Sequence, residues 1–293
     1  MVRFHGSAAH FVLAVVLVGL AGSTASAQET SFLGVAKADL ELVDARRKKL
    51  ADIGRGELVR VLLKQGDRYL GQTTAGVQGW VESKDVVPLQ DAAKIYDELI
   101  RDNTDESAWY ALRAMVWEQR GEDKKAIADL DHAIKLGHED PHLYVNRGMF
   151  HAAAGDFDKA IADYDAAIKD GLDDPLVFSN RAAAQLGKGE FKKAIADCDE
   201  MIRRAPKDPA GHHLRGVAWR QQGELDKALT DFSAVLKLDP AHVPARISRG
   251  FIYYLQEDSK KAIADFSEVI RQNPQHAVAY NNRGYNRQLI GEY

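Results

Sequence analysis

Two polar residue types recur at a fixed interval through the C-terminal part of the sequence, and their pairing is the first chemistry it suggests. Arginine stands at six positions 34 residues apart, and aspartate at five positions with the same interval: Arg113, Arg147, Arg181, Arg215, Arg249 and Arg283, with Asp129, Asp163, Asp197, Asp231 and Asp265. A guanidinium binds a carboxylate through two parallel hydrogen bonds. We therefore predict a ladder of Arg–Asp pairs on facing helices. The alternative is a row of arginines that binds an acidic ligand, and we favour the ladder because the aspartates recur in step.

Residues suited to catalysis or metal binding form no recognisable pattern in the sequence. It has no glycine-rich phosphate loop, nucleophile elbow or cysteine–histidine signature. His132, His138, His142 and His151 are close in sequence, but their spacing is unlike that of a zinc site. Cys198 is the one cysteine, so no intrachain disulfide can form, and we predict a buried structural thiol. The sequence predicts a protein that is not an enzyme, with no catalytic residue, cofactor or metal.

The segments that carry the arginines and aspartates repeat with the same period. Alanine recurs every 34 residues, and a glycine or alanine stands twelve residues before each of them: Ala126, Ala160, Ala194, Ala228 and Ala262, preceded by Ala114, Gly148, Ala182, Gly216 and Gly250, with Gly284 continuing the series. Each repeat contains two apolar stripes of helical spacing separated by a turn. Such units bury their apolar faces only by stacking on their neighbours. The pattern predicts a helical solenoid.

The repeats resemble the tetratricopeptide repeat family. The aromatic positions of that family are matched by Tyr110, Tyr144, Phe178 and Tyr280 and by Tyr164, Phe232 and Phe266, its proline by Pro206, Pro240 and Pro274, whereas His138 and Leu172 depart from it. The resemblance implies an all-α right-handed superhelix over residues 107–293, in units 107–140, 141–174, 175–208, 209–242 and 243–276 with a partial unit 277–293.

The resemblance also implies a concave surface of first-helix side chains that holds peptides or partner helices. The candidates here are Met115, Glu118, Met149, Leu186, His213, Val217, Arg220, Ile247, Phe251, Tyr254, Asn281 and Tyr285. The C-terminal part of this set is apolar and aromatic, as expected for the seat of a hydrophobic peptide anchor. For Phe251 and Tyr254 the alternative is packing against neighbouring repeats, and both interpretations stay open.

Residues 28–90 have a different character, with short alternating apolar and polar runs separated by close-set glycine turns. The runs 56–61, 66–70 and 79–81 resemble a bacterial SH3-like domain, which implies a small all-β barrel. Tyr69 and Trp80 have two interpretations: a groove for a proline-rich or peptidoglycan-derived ligand, or core aromatics. We favour the core role, because a small domain needs every large apolar side chain.

Residues 1–27 are predicted to be a secretory signal peptide. Arg3 and His5 precede the apolar run 11–20, and the small residues Ala25 and Ala27 flank a cleavage site after Ala27. The alternative is an uncleaved anchor, but the run is shorter than the about 20 residues that span a bilayer. We expect export to the periplasm or the cell exterior, with no stable membrane span after cleavage.

The two ends of the array differ. Residues 91–106 match a solitary second helix, because Ala92 and Tyr96 fall 34 residues before Ala126 and Leu130, and they are predicted to cap the first repeat. At the other end, residues 277–293 supply only a first helix, which should leave an apolar edge exposed. Either the chain is truncated or a partner or second copy covers that edge, and we favour truncation.

These observations define the function that the sequence predicts. The net charge is −4, and the sequence has no long run of charged residues of one sign, which argues against nucleic-acid binding. We predict an exported, non-catalytic adaptor that binds protein or peptide partners on its helical repeats. The alternative is a cell-wall-binding protein, in which residues 28–90 grip peptidoglycan and the repeats recruit an enzyme.

Overall fold

A computed structural model describes residues 31–137 and 139–292. The predicted signal peptide lies outside the described residues. Two compact units divide the chain, one up to Phe150 and the other from His151 onward, and each is described by itself.

The first unit begins with an antiparallel sheet, which in the described residues has seven strands. They are β1 (Phe32–Ala36), β2 (Leu40–Val43), β3 (Lys49–Ile53), β4 (Leu58–Gln65), β5 (Arg68–Gln72), β6 (Gln78–Glu82) and β7 (Val86–Pro88). Their order across the sheet is β3-β2-β6-β5-β4-β1-β7. This strand-rich region precedes the helices, as the sequence predicts, while its assignment as SH3-like stays a prediction.

One face of the sheet carries its apolar core. Leu42, Val59 and Val61 are fully buried there, since alternate residues of a strand point to the same face. Gly79 lies where a side chain would collide with this core, because an added Cβ would come within 2.8 Å of Leu42. The close approach of β6 to β2 therefore requires glycine.

Helices of the first unit follow two 3-10 turns, Ser83–Asp85 and Leu89–Asp91. They are α1 (Ala93–Asp102), α2 (Ser107–Gln119), α3 (Asp123–Lys135) and α4 (His142–Ala153), whose last turn enters the second unit. Tyr96 of α1 is fully buried and donates its hydroxyl hydrogen to the Gly56 carbonyl oxygen at 3.0 Å. It packs with Val35 and Leu58 of the sheet and Leu112 of α2 in one apolar cluster. The solitary helix thus packs against the first repeat, as predicted, and also against the sheet.

The second unit consists of helical hairpins in its described residues. They are formed by α5 (Phe157–Lys169), α6 (Pro175–Lys188), α7 (Phe191–Arg204), α8 (Pro209–Gln221), α9 (Leu225–Leu238), α10 (Val243–Leu255), α11 (Ser259–Gln272) and α12 (Ala277–Leu289). Consecutive helices pack on one another, as in stacked tetratricopeptide hairpins.

Local sequence explains where these helices begin and how closely they pack. At the start of α6, Pro175 follows Asp174, whose side chain accepts a hydrogen bond from the Leu176 N–H at 2.8 Å. Within the α10–α11 hairpin, a Cβ added to Gly250 would lie 3.1 Å from the Phe266 ring. The small residue at this position therefore allows the two helices of the hairpin to approach closely.

Candidate functional site

The predicted Arg–Asp ladder is confirmed in four repeats. Each arginine donates from Nε and Nη2 to the two carboxylate oxygens of the aspartate sixteen residues later, at 2.6–2.9 Å: Arg113 to Asp129, Arg181 to Asp197, Arg215 to Asp231, and Arg249 to Asp265. The side chains are largely buried in these pairs. Hydrogen bonding to Asp197 raises the pKa of Arg181, although burial opposes the shift.

The third guanidinium nitrogen extends the ladder to the preceding repeat. Arg113 Nη1 donates to Asp97 at 2.7 Å, and Arg181 and Arg215 bind Asp165 and Asp199 in the same way. Each of these arginines therefore connects its own second helix to the previous one. Their donors are committed within the fold, which disfavours the alternative of arginines that read an acidic ligand.

The environment of Cys198 and the distribution of metal-ligating residues bear on the predicted chemistry. Cys198 is fully buried among Ala182 and Ala194, and burial together with Asp197 raises the pKa of its thiol to about 12, as befits a structural cysteine. Across residues 31–137 and 139–292, no three histidine, cysteine or acidic side chains converge to hold a metal ion. Within those same ranges, no helix has the length and apolar character needed to cross a membrane.

Three of the predicted peptide-binding residues lie in the first unit. Met149 and Glu118 are exposed. Met115 is buried at 6% exposure, because it packs with Val35 and Leu89 in the cluster beneath the sheet. The prediction that Met115 lines a binding surface is therefore wrong: the first repeat turns this side chain toward the strand-rich region.

The second unit holds the other nine residues. Leu186, His213, Val217, Arg220 and Ile247 are half-buried. The His213 ring lies on two other rings, with centroids 6.0 Å from Phe232 and 4.9 Å from His242. Both of these ring contacts lie within the repeat 209–242. Leu186 and Val217, in contrast, belong to apolar clusters that include residues of the next repeat.

Four predicted residues come together in one cleft. Phe251, Tyr254, Asn281 and Tyr285 line a cavity of about 190 Å³ between α10, α11 and α12. The Tyr254 ring lies 5.9 Å from Phe251 and meets the Tyr285 ring edge-on at 5.5 Å. Phe251 and Tyr285 remain 37% and 50% exposed. The rings thus pack on one another across neighbouring repeats and still present an open aromatic surface.

Three residues of this cleft were missed by the sequence analysis: Phe266, Asn282 and Asn286. Asn286 is only 2% exposed. The residues at its register in earlier repeats are apolar, namely Val116, Phe150, Ala184, Ala218 and Ile252. An amide in a register of apolar residues is the signal that could have found it.

A second, larger depression lies at the turn between α6 and α7. Its volume is about 470 Å³, and its lining includes Glu190, Phe191 and Lys193. Glu190 is ion-paired with Lys188 and Lys193 at 2.8 Å each, so its charge is already balanced within the chain. The C-terminal cleft is smaller but combines aromatic walls with polar groups, and it is the better candidate.

Tyr69 and Trp80 lie on opposite faces of the sheet. Tyr69 is paired with the buried Val81 and packs edge-on against Phe32 at 5.4 Å, on the core side. Trp80 precedes Val81 in the strand and so points to the other side, where the Arg68 guanidinium lies 5.4 Å from its ring. The alternative interpretation, a single groove made of both rings, is therefore wrong, and so is a core role for Trp80. Tyr69 has the core role that the sequence favours.

Comparison with known proteins identifies the repeats. Residues 146–209 match one family model of the tetratricopeptide repeat, and residues 209–242 match a second. These segments of the chain are tetratricopeptide repeats, as the sequence predicts. The comparison with curated proteins gives no match.

Solved structures share the fold. The TPR protein YrrB, described as having an unusual peptide-binding site, is 22% identical with a TM-score of 0.56, over 66% of this chain and 100% of that one. The C-terminal part of a TPR protein from Cytophaga hutchinsonii is 20% identical with a TM-score of 0.59, over 70% and 82%. MamA from Desulfovibrio magneticus is 21% identical with a TM-score of 0.53, over 64% and 98%. At these identities the likeness concerns the fold.

Proposed function

We propose that this tetratricopeptide-repeat chain is an exported, non-catalytic adaptor that binds a protein or peptide partner in the cleft between α10 and α12. Repeats of this kind are protein-interaction scaffolds, which sets the general class. One observation carries the specific proposal: Phe251, Tyr254 and Tyr285 form an exposed aromatic cleft from two consecutive first helices.

The cleft has the properties of an interaction hot spot. Aromatic side chains dominate binding energy when a partner covers them, because they exclude water over a large area with few rotatable bonds. Here Tyr254 contacts both Phe251 and Tyr285, so each ring is held before a ligand arrives. Preorganisation lowers the entropy lost on binding. The description of YrrB as a peptide-binding protein is consistent with a peptide as the ligand.

Binding of captured peptides to paired variants tests this proposal. Peptides selected from a displayed random library on the purified protein are titrated against wild type, Phe251→Ala and Tyr285→Ala. We expect each substitution to weaken binding by roughly tenfold or more, since hot-spot truncations cost about 2 kcal/mol.

Leu255→Ala is the matched control. Leu255 lies on the same helix and is 47% exposed, but it does not line the cleft. Equal losses in Leu255→Ala and Phe251→Ala, or unchanged affinity in both cleft variants, would refute the proposal.

One observation favours the alternative of cell-wall binding. Trp80 lies on the outer face of the sheet in a row of neighbours across four strands: its register partners are Val43 and Leu70, and Leu70 pairs with the exposed Leu63. Aromatic and apolar side chains in such a row can stack on sugar rings. Sedimentation of the protein with purified peptidoglycan tests this, and loss of pelleting in Trp80→Ala, with Tyr285→Ala unaffected, is the supporting result.

A further inference from the structure

The floor of the C-terminal cleft contains an unmatched hydrogen-bond acceptor. Asn286 is 2% exposed, and its Nδ2 donates to the Asn282 carbonyl oxygen at 2.9 Å. Its Oδ1 is shielded from solvent and has no hydrogen-bond partner among the described residues. Buried polar atoms are nearly always paired in folded proteins, so this oxygen calls for an explanation.

The orientation of the amide follows from its surroundings. If the amide of Asn286 were turned over, its oxygen would face the Asn282 carbonyl oxygen, and two acceptors would meet. The carbonyl oxygen, rather than the NH₂ group, is therefore the atom left over. A ligand that satisfies it must bring a donor.

The rest of the cleft is lined by four aromatic side chains and by Asn281 and Asn282, and its aromatic walls favour a ring as the ligand. Phe266 is fully buried, and with Phe251, Tyr254 and Tyr285 it gives aromatic walls to the cleft that Asn286 also lines. The volume of about 190 Å³ is below the range of about 300–1,000 Å³ that is typical of small-molecule sites. The cleft therefore has room for one large side chain of a longer partner.

We propose that this cleft takes a tryptophan side chain of the partner, whose indole N–H donates to Asn286 Oδ1. Indole is a donor only, so it matches a lone acceptor without bringing an acceptor of its own into the aromatic surroundings. Phenylalanine would fill the space and leave Oδ1 unmatched. The inference rests on the proposed function and narrows it to an anchor of stated chemistry.

The unmatched amide of Asn286 should also lower the stability of the folded protein in the absence of a ligand. Its register is apolar in the earlier repeats, and a leucine there would remove the unmatched amide. We expect Asn286→Leu to raise the thermal midpoint of unfolding while it removes the preference for an indole donor. Loss of stability in this variant would indicate that the amide supports the fold, and it would contradict the inference.

Three small probes separate the hydrogen bond from ring packing: N-acetyl-tryptophanamide, its 1-methyl derivative, which lacks the indole N–H, and N-acetyl-phenylalaninamide. Binding to the full chain is followed by NMR, with shift changes mapped to α10–α12. We expect the tryptophan probe to bind about tenfold more tightly than either of the others, as one buried hydrogen bond provides. In Asn286→Leu the difference should shrink below about twofold.

Each outcome decides the inference. Equal affinity of the two indole probes for wild type, or shifts that map outside the cleft, would overturn it even if Asn286→Leu failed to fold. If library peptides still lose binding in Phe251→Ala while the indole probes do not differ, the adaptor function stands and the tryptophan anchor fails. If neither peptides nor probes bind the cleft, both fail.

Discussion

Glu257 occupies a backbone conformation that glycine holds in the other repeats. Its φ is 61°, and the glycines at the corresponding turns have φ between 68° and 83°, the latter at Gly223. The left-handed region crowds the Cβ of any residue except glycine. The sequence marks this position as the exception among its turn glycines, and the structure shows that the fold keeps the turn at a local cost.

Replacing Glu257 with glycine should stabilise the protein by about 0.5–1 kcal/mol, because relief of the left-handed strain exceeds the entropy that glycine gains on unfolding. Urea unfolding followed by circular dichroism measures the change. Gly223→Glu is the matched control and should destabilise by a similar amount. A stable Gly223→Glu variant would contradict this account of the turn.

His213 gives the fold a dependence on pH. Burial is the main cause that lowers the pKa of its imidazole, and the nearby His242 and Arg220 lower it further. The unfolded chain therefore takes up the proton at higher pH than the folded protein does. The stabilising contribution is complete above the usual histidine pKa of about 6.5 and is lost as the pH falls from there through the folded value.

We expect the urea midpoint to decrease as the pH is lowered from 7.5 to 5.5. His213 should lower the free energy of unfolding by at most about 1.4 kcal/mol per pH unit. His213→Gln cannot titrate and should show a shallower decline. The interpretation is wrong if wild type and His213→Gln decline in parallel.

At the scale of the element, the guanidinium groups of Arg113, Arg181 and Arg215 each join one first helix to two second helices. Arg181 binds Asp197 of its own repeat through two hydrogen bonds and Asp165 of the previous repeat through a third. In the fifth repeat the third contact is weaker, because Arg249 Nη1 meets the Ser233 hydroxyl at 3.3 Å. The ladder thus sets the register between consecutive hairpins.

Removing Arg181 and Asp197 singly and together tests the ladder. Loss of either partner leaves the other charge largely buried. We therefore expect the summed losses of unfolding free energy in the two single variants to exceed the loss in the double variant by about 2 kcal/mol. Denaturant unfolding of the four proteins in the cycle measures the coupling. Arg203 and Glu200, paired on the outside of α7, are the control and should behave additively. Additive losses at Arg181 and Asp197 would end the idea of a ladder.

At the scale of the whole molecule, the last helix carries an exposed apolar edge, as predicted. Val278, Tyr280, Leu289 and Ile290 of α12 and the residue after it are 38–54% exposed. A Cβ added to Gly284 would meet nothing within 4 Å, whereas the same register at Gly250 lies against Phe266. A second helix covers this face in the earlier hairpin.

Export is the prediction that concerns the molecule as a whole. Expression of the full chain in a Gram-negative host should yield a periplasmic protein whose N-terminus is Gln28, because residues 1–27 have the pattern of a cleaved signal. Cell fractionation and N-terminal sequencing measure both. A variant with Leu13→Arg and Val15→Arg interrupts the apolar run and should stay in the cytoplasm. Retention of the unaltered chain there, uncleaved, would refute export.

The sequence by itself determined the period, the hairpins, the contact glycines and the Arg–Asp ladder. Each depends on residues near in sequence or one repeat away, and stacked repeats contact chiefly their neighbours, so local pattern and fold agree. The tertiary structure alone decided which side chains stay open. Met115 is buried because it packs against the strand-rich region. Tyr69 and Trp80 point to opposite faces because of the strand register. Asn286 is a buried, unmatched acceptor in a cleft that also contains aromatic rings from three helices. The exposure of a side chain depends on which residues pack against it. Those residues can come from distant parts of the sequence, so residue spacing within one segment does not predict it.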